Sequence, residues 1–287
     1  MPLRDESKYN IKVEGEPVEV TEARKKILDT FSDVEFQEEG HKYFLHGVEL
    51  SSVSAVAQQY EEEFDTETKA ESYAEKHGMT KEYWIDQWKY INLKATVTGT
   101  QVHSFAESLS WLKMGHPENI TDDNKYKYIE DKNWLIPTRP KENSAVNFFE
   151  NFPQNLHLVL PETRIYNVGE KIKYAGTFDL LTYYDNPEGK DKSGFIIMDW
   201  KTNADIYKEF SRTNGKMLFW PFTNLYQEPF GIYTLQLNLY SMALENIGIP
   251  VIGKRIIWLK DDETYEIIKV DDVQDLFKKV DPSIYLK

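Results

Sequence analysis

The chain predicts an α/β or α+β fold, with a β-rich C-terminal half and helices ahead of it. Residues 157–167, 171–184 and 194–201 are rich in β-branched and aromatic side chains and read as strands. A helical pattern over 233–245 follows, and then two more strand patterns, 251–260 and 265–270. The order β-β-β-α-β-β suits a sheet covered by helices.

In chain order, residues 1–33 form a polar, charged N-terminal extension with one helical stretch over 21–31. Residues 34–37 and 42–46 alternate in polarity around Glu39-Gly40, which predicts a hairpin. The run Ser51-Ser-Val-Ser54 opens 51–60 as a hydroxyl-capped helix, and Glu61–Glu63 reads as a solvated acidic patch. Over 80–114, Trp84, Trp88, Ile91 and Ala95, then Val102, Phe105, Leu109 and Leu112, recur at helical spacing. Gly99 interrupts this region, which predicts two helices or one kinked helix. Residues 115–142 read as a loop or insertion, 143–152 as a short amphipathic helix, 186–193 as a loop and 272–280 as a closing helix. Residues 34–142 then make a hairpin and helical region and 143–287 the core, with 34–287 as one compact domain.

With 287 residues the chain can bury a sizeable core. No apolar run approaches the roughly 20 residues of a membrane-spanning helix, so no membrane partner is expected. The stretch Met1–Lys8 lacks the apolar segment of a signal peptide, which predicts a cytoplasmic protein. The sequon Asn119-Ile-Thr121 is therefore read as chance. Cysteine is absent, which excludes disulfides, zinc–thiolate sites and iron–sulfur clusters, so any metal must use oxygen or imidazole ligands. A net charge of −14 opposes a protein that coats nucleic acid, because phosphates need a positive field. It permits an enzyme whose grip is local, since divalent cations reverse the sign of an acidic cluster.

Chemistry concentrates at Asp199-Trp-Lys201. An acid two residues before a lysine also occurs at Glu6, Glu67, Asp123, Glu130 and Glu188, all in polar segments where a solvated pair suffices. Only Asp199 ends an apolar run, Phe195–Met198, where an uncompensated charge is costly. Strand alternation puts Asp199 and Lys201 on one face and Trp200 on the other. Asp179 lies within a second apolar strand, beside Gly176, which lets backbone or substrate come close. Two acids from adjacent strands can share Mg²⁺ or Mn²⁺, and a lysine beside them can activate or orient water or offset phosphate charge. The alternative is a buried Asp179 satisfied by backbone donors. Gly99, His103 and Glu107 make one helical stripe, and Gln236 and Tyr240 share the same four-residue spacing. A lone helical histidine is more often structural than ligating, and Tyr240 reads as core beside a surface glutamine.

Taken together, Gly99-x-x-x-His103, Gly176-Thr-Phe-Asp179, Asp199-Trp-Lys-Thr202 and Gln236-x-x-x-Tyr240, in this order, resemble the RecB-like branch of the PD-(D/E)XK nuclease superfamily. The likeness is to phage and bacterial exonuclease-like proteins and the mitochondrial genome maintenance exonuclease group. Ser52-Val-Ser54 after the hairpin and Trp88 before Gly99 extend it to about residues 34–270. It implies a restriction-endonuclease-like core with a mixed central sheet and a Mg²⁺- or Mn²⁺-dependent deoxyribonuclease using one or two ions. It assigns His103, Asp179, Asp199 and the Trp200 carbonyl as ligands, Lys201 as the catalytic lysine, and Glu107 as support. Gln236 and Tyr240 would hold the lysine or the DNA backbone, and Glu162 matches an acid on the preceding strand. Ser52, Ser54 and Thr202 fall in the same motifs as DNA-binding or supporting positions. The substrate implied is single-stranded or end-bearing DNA in a bacterial or phage-infected cell. Ser51 departs from the family's usual proline, and cluster-bearing relatives need four cysteines. The aromatic helices ahead of the core could form a channel for a single strand, although tryptophans at helical spacing, as Trp84 and Trp88 are, more often belong to a core.

Overall fold

The computed structural model describes residues 11, 13–169, 172–186, 189 and 192–280. Helix α1 is Val18–Thr30, followed by a meander of β1 (Val34–Gln37), β2 (Lys42–Leu45) and β3 (Val48–Ser52). Then come α2 (Val53–Gln58), α3 (Thr66–His77) and α4 (Lys81–Lys113). After three 3-10 turns interleaved with a small ribbon, β4 (Tyr128–Ile129) and β5 (Trp134–Leu135), the chain enters α5 (Pro140–Glu150). The core elements are β6 (Leu156–Val168), β7 (Lys173–Tyr184), β8 (Gly194–Lys201), α6 (Glu209–Thr213), α7 (Pro229–Asn246), β9 (Val251–Leu259), β10 (Tyr265–Lys269) and α8 (Gln274–Phe277).

The predicted fold class is present: a mixed sheet of eight strands among the described residues, with helices packed against it. Several boundaries differ from the sequence reading. Residues 48–52 extend the hairpin into a third strand, so the helix expected at 51–60 starts only at Val53. Helix α3 fills a segment with no assigned element. Helix α4 runs unbroken through Gly99, where a Cβ would stand 3.3 Å from Thr202 Oγ1, so the glycine admits the neighbouring segment instead of breaking the helix. The stretch read as a loop, 115–142, holds the β4–β5 ribbon and the first turn of α5. The closing helix shrinks to α8. Residue 171 and part of the 186–193 loop lie outside the described residues. Within the N-terminal stretch read as an extension, Val20, Ala23, Ile27 and Phe31 are buried in the main core. Arg24 ties this helix to the sheet by donating to the carbonyls of Val159 and Leu158.

The sheet forks at β7. One edge pairs antiparallel with β6 from Lys173 to Tyr184. The other pairs with β8 from Leu180 to Tyr184, and parallel with β3 only at Tyr174 and Ala175. Among the described residues, no strand pairs with this second edge between 176 and 179. Strand β8 meanwhile continues beside β9 through Lys201. The opening between β3, β7 and the departing β8 receives one face of α4 and one face of α7.

Candidate metal centre

Asp179 stands where β8 leaves β7. The last paired residues there are Leu180 and Met198, so the Trp200 amide has no strand partner on that side. It donates instead to Asp179 Oδ2 at 2.7 Å. In an extended strand the N–H and C=O of one residue share a side, so the Trp200 carbonyl faces the same opening. Its indole points the other way, fully buried against Phe148 and Phe149, as alternation predicts.

His103 reaches Asp179 from α4, with Nδ1 3.4 Å from Oδ2. Glu162 joins them from β6: ligand atoms of His103, Glu162 and Asp179 all lie within 4.8 Å of one another. Glu162 has φ +38°, a left-handed backbone rare outside glycine and found most at functional sites. Asp199 lies deeper and outside this trio, only 1% exposed. Lys201 Nζ stands 2.5 Å from its Oδ2 and 4.2 Å from the ring centre of Tyr233. The buried Asp199 Oδ2 is therefore partnered by the lysine ammonium.

The charges favour ionised partners unequally. Burial alone would lower the His103 imidazole, but the Asp179 carboxylate outweighs it and holds it above its ordinary value. Burial pushes Asp179 up, yet His103, Lys201 and the Trp200 amide bring it below the usual carboxylate range. Asp199 is raised by burial, which the attraction of Lys201 does not cancel, and the neighbouring Asp179 charge adds to the rise. Lys201 is raised against its burial because both carboxylates attract it. One lysine thus serves two acids, which is why the lysine is held more firmly in its charged form than Asp199.

A cleft of about 500 Å³ opens over Asp179. Gly99, His103 and Glu107 line one wall as the predicted stripe, and Gln236 and Tyr240 close another side. Glu107 accepts from the Trp111 indole at 3.3 Å. Gln236 Nε2 donates to Tyr240 Oη at 3.1 Å. The lysine contact expected from this helix comes from Tyr233, one turn earlier, whose hydroxyl donates to Asn203 Oδ1 at 2.6 Å. Its i, i+3, i+7 relation to Gln236 and Tyr240 was a readable signal. Ser52 caps α2, its Oγ accepting from the Ala55 amide at 3.0 Å, while Ser54 is exposed at the rim. Thr202 sits under Gly99, and its carbonyl accepts from Lys141 Nζ at 2.7 Å. A smaller cavity of about 210 Å³ beside Val13, Met114 and Leu158 shares no lining residue with the cleft.

The donor set fits Mg²⁺ or Mn²⁺: the carboxylate oxygens of Glu162 and Asp179 and one imidazole, with no thiolate. Trp84 and Trp88 are half-buried on the arm made by α3 and the start of α4, edge-on to Tyr73 and apart from the main core. No helix among the described residues is long and apolar enough to cross a membrane.

No family model and no curated protein matches the chain. Among solved structures it aligns with the crystal structure of SSO0001 at 12% identity, over 65% of this chain and 69% of that one, with a TM-score of 0.27. A likeness this low carries no argument about fold or activity.

Proposed function

We propose that this chain is a metal-dependent nuclease that hydrolyses phosphodiester bonds in DNA, acting from ends on single-stranded or end-bearing substrates. One observation carries the reading: His103, Glu162 and Asp179 converge within 4.8 Å at a strand fork, with the buried Asp199–Lys201 pair beneath. The motif order resembling RecB-like nucleases supports it, and the preference for ends rests on that resemblance alone. The same resemblance points to the cytoplasm of a bacterial or phage-infected cell.

A bound Mg²⁺ or Mn²⁺ would lower the pKa of water and offset phosphate charge. The chain's own residues do the rest. The Trp200 amide fixes one oxygen of Asp179, so the carboxylate faces the cleft in a single orientation. His103 turns its other ring nitrogen as the Asp179 contact dictates. Lys201, held by Asp199 and the Tyr233 ring, keeps a cation where phosphate charge would build.

The test is degradation of linear single-stranded DNA, linear duplex and closed circles, with Mg²⁺, Mn²⁺ or EDTA. We expect release of nucleotides from linear DNA, none in EDTA, and intact circles. Asp199→Asn should cut turnover roughly a thousandfold or more while circular dichroism stays native. Parent-like cutting by Asp199→Asn would remove the site assignment. Nicked circles would make the enzyme an endonuclease, and no cutting despite DNA binding would make it a silent binding protein.

A further inference from the structure

The carboxylates account for the floor of the cleft and leave its hairpin side without a role. On β6 and β7, Arg164 pairs with Thr177, and paired residues of an antiparallel ladder project to one face. Glu162 and Asp179 lie two residues along in the same direction, so they share that face. The face therefore carries two rungs, an acidic one (Glu162, Asp179) and a donor one (Arg164, Thr177). A two-residue step along a strand is about 6.8 Å, comparable with the separation of consecutive phosphates on an extended nucleic-acid strand.

The donor rung is built up by the hairpin. Tyr43 Oη lies 3.2 Å from Thr177 Oγ1 and 3.5 Å from His41 Nε2, which ties the three polar groups together at the cleft. The Arg164 guanidinium carbon stands 5.4 Å from the centre of the cleft-lining Phe36 ring, which places this exposed arginine at the rim. His41 packs edge-on against the same ring, at 4.9 Å and 80°. It does so with φ +51°, a left-handed conformation in a cleft-lining residue.

On the nuclease reading, we infer that Arg164 and Thr177, with Tyr43 and His41, bind the phosphate next to the one being cut. The substrate class is then a polynucleotide with at least two consecutive phosphates, and single-phosphate esters lack half of the recognition. The hydrolytic step is unaffected: the rung holds a spectator phosphate and exchanges no proton or bond.

The test compares a short single-stranded oligonucleotide with bis(p-nitrophenyl) phosphate, which has one phosphate only, using Mn²⁺ for turnover and Ca²⁺ for binding by fluorescence anisotropy. Arg164→Gln should raise the oligonucleotide KM and Kd about tenfold, the worth of one charge-assisted contact. Its turnover of bis(p-nitrophenyl) phosphate should stay within about twofold of the parent. Thr177→Val, which keeps the shape, should move oligonucleotide binding in the same direction. An oligonucleotide Kd unchanged in both variants would overturn the subsite while leaving the nuclease reading intact. Equal losses on both substrates would also overturn it, since the residues would then serve the centre itself. A parent that neither binds the oligonucleotide nor cuts either substrate would take down the nuclease reading, and the subsite with it.

Discussion

At Gly176 a single hydrogen separates β7 from two buried side chains. A Cβ there would stand 2.8 Å from Val53 Cγ2 and 2.9 Å from Tyr240 Cε1. Val53 is β-branched and 1% exposed, and Tyr240 is 3% exposed, so neither can swing away. Gly176→Ala should cost about 1–3 kcal/mol through overpacking. Urea unfolding should show a lower midpoint with the slope unchanged; an unaltered midpoint would mean that α2 and α7 yield freely. Other residues of the centre differed in how readable they were. Asp199, Lys201 and Asp179 could be placed from strand alternation, because an acid inside an apolar run must be accounted for. The roles of His103 and Glu162 came only with the resemblance. Glu162 lies on a long strand whose alternation gives no hint of its left-handed twist. For Tyr233 the helical spacing to Gln236 and Tyr240 marks the shared face, but nothing local marks the lysine of another element that lies against its ring.

Elements were legible where their pattern was self-sufficient. Strands β6 to β9 announce themselves through β-branched and aromatic runs, whereas β3 is fixed by pairing with its neighbour β2 and with β7, far away in sequence. Helix α3 buries only Ala70, so it has no apolar stripe to read. Its ends were nevertheless marked, by Asp65 accepting from the Thr68 amide and by Gly78 at φ +70°. Helix α5 began earlier than expected because Pro140 suits a first turn. Glu142, in that turn, accepts from Lys127 at 2.8 Å and from the Thr138 amide at 2.6 Å. It thereby sets the helix that carries Lys141 to the Thr202 carbonyl. Burial pushes the Glu142 carboxyl up, but Lys127 and Thr138 outweigh it and hold it below the usual range. A depressed carboxyl adds stability that is present above its unfolded pKa and lost as pH falls through the folded value. Glu142→Gln should thus cost about 3–5 kcal/mol at neutral pH by stranding a buried lysine. It should also flatten the loss of stability on acidification. Urea titrations at pH 7 and at mildly acid pH check both, and a variant with the parent's acid limb would show that Glu142 does not titrate on unfolding.

At the scale of the whole molecule, the net charge of −14 opposes the polyanionic substrate proposed for the cleft. The surface as a whole repels it, so attraction must come from the few places where the sign is reversed. Composition alone displayed the repulsion but not its local exception, since Arg164 and Thr177 meet only through the β6–β7 register. If the grip is confined to the two rungs, few counterions leave the nucleic acid on binding. Single strands release about 0.7 counterion per phosphate engaged, so log Kd against log[KCl] at fixed Ca²⁺ should have a slope magnitude near 1.4 for two phosphates. Arg164→Gln should remove about half of that dependence. A slope magnitude of about 4 or more would require some six phosphate contacts, hence a long basic track. The described cleft lining, whose basic groups are His41 and His103 with Arg164 at the rim against Phe36, does not supply one. Such a result would move the DNA path to another face of the molecule and separate it from the centre at Asp179.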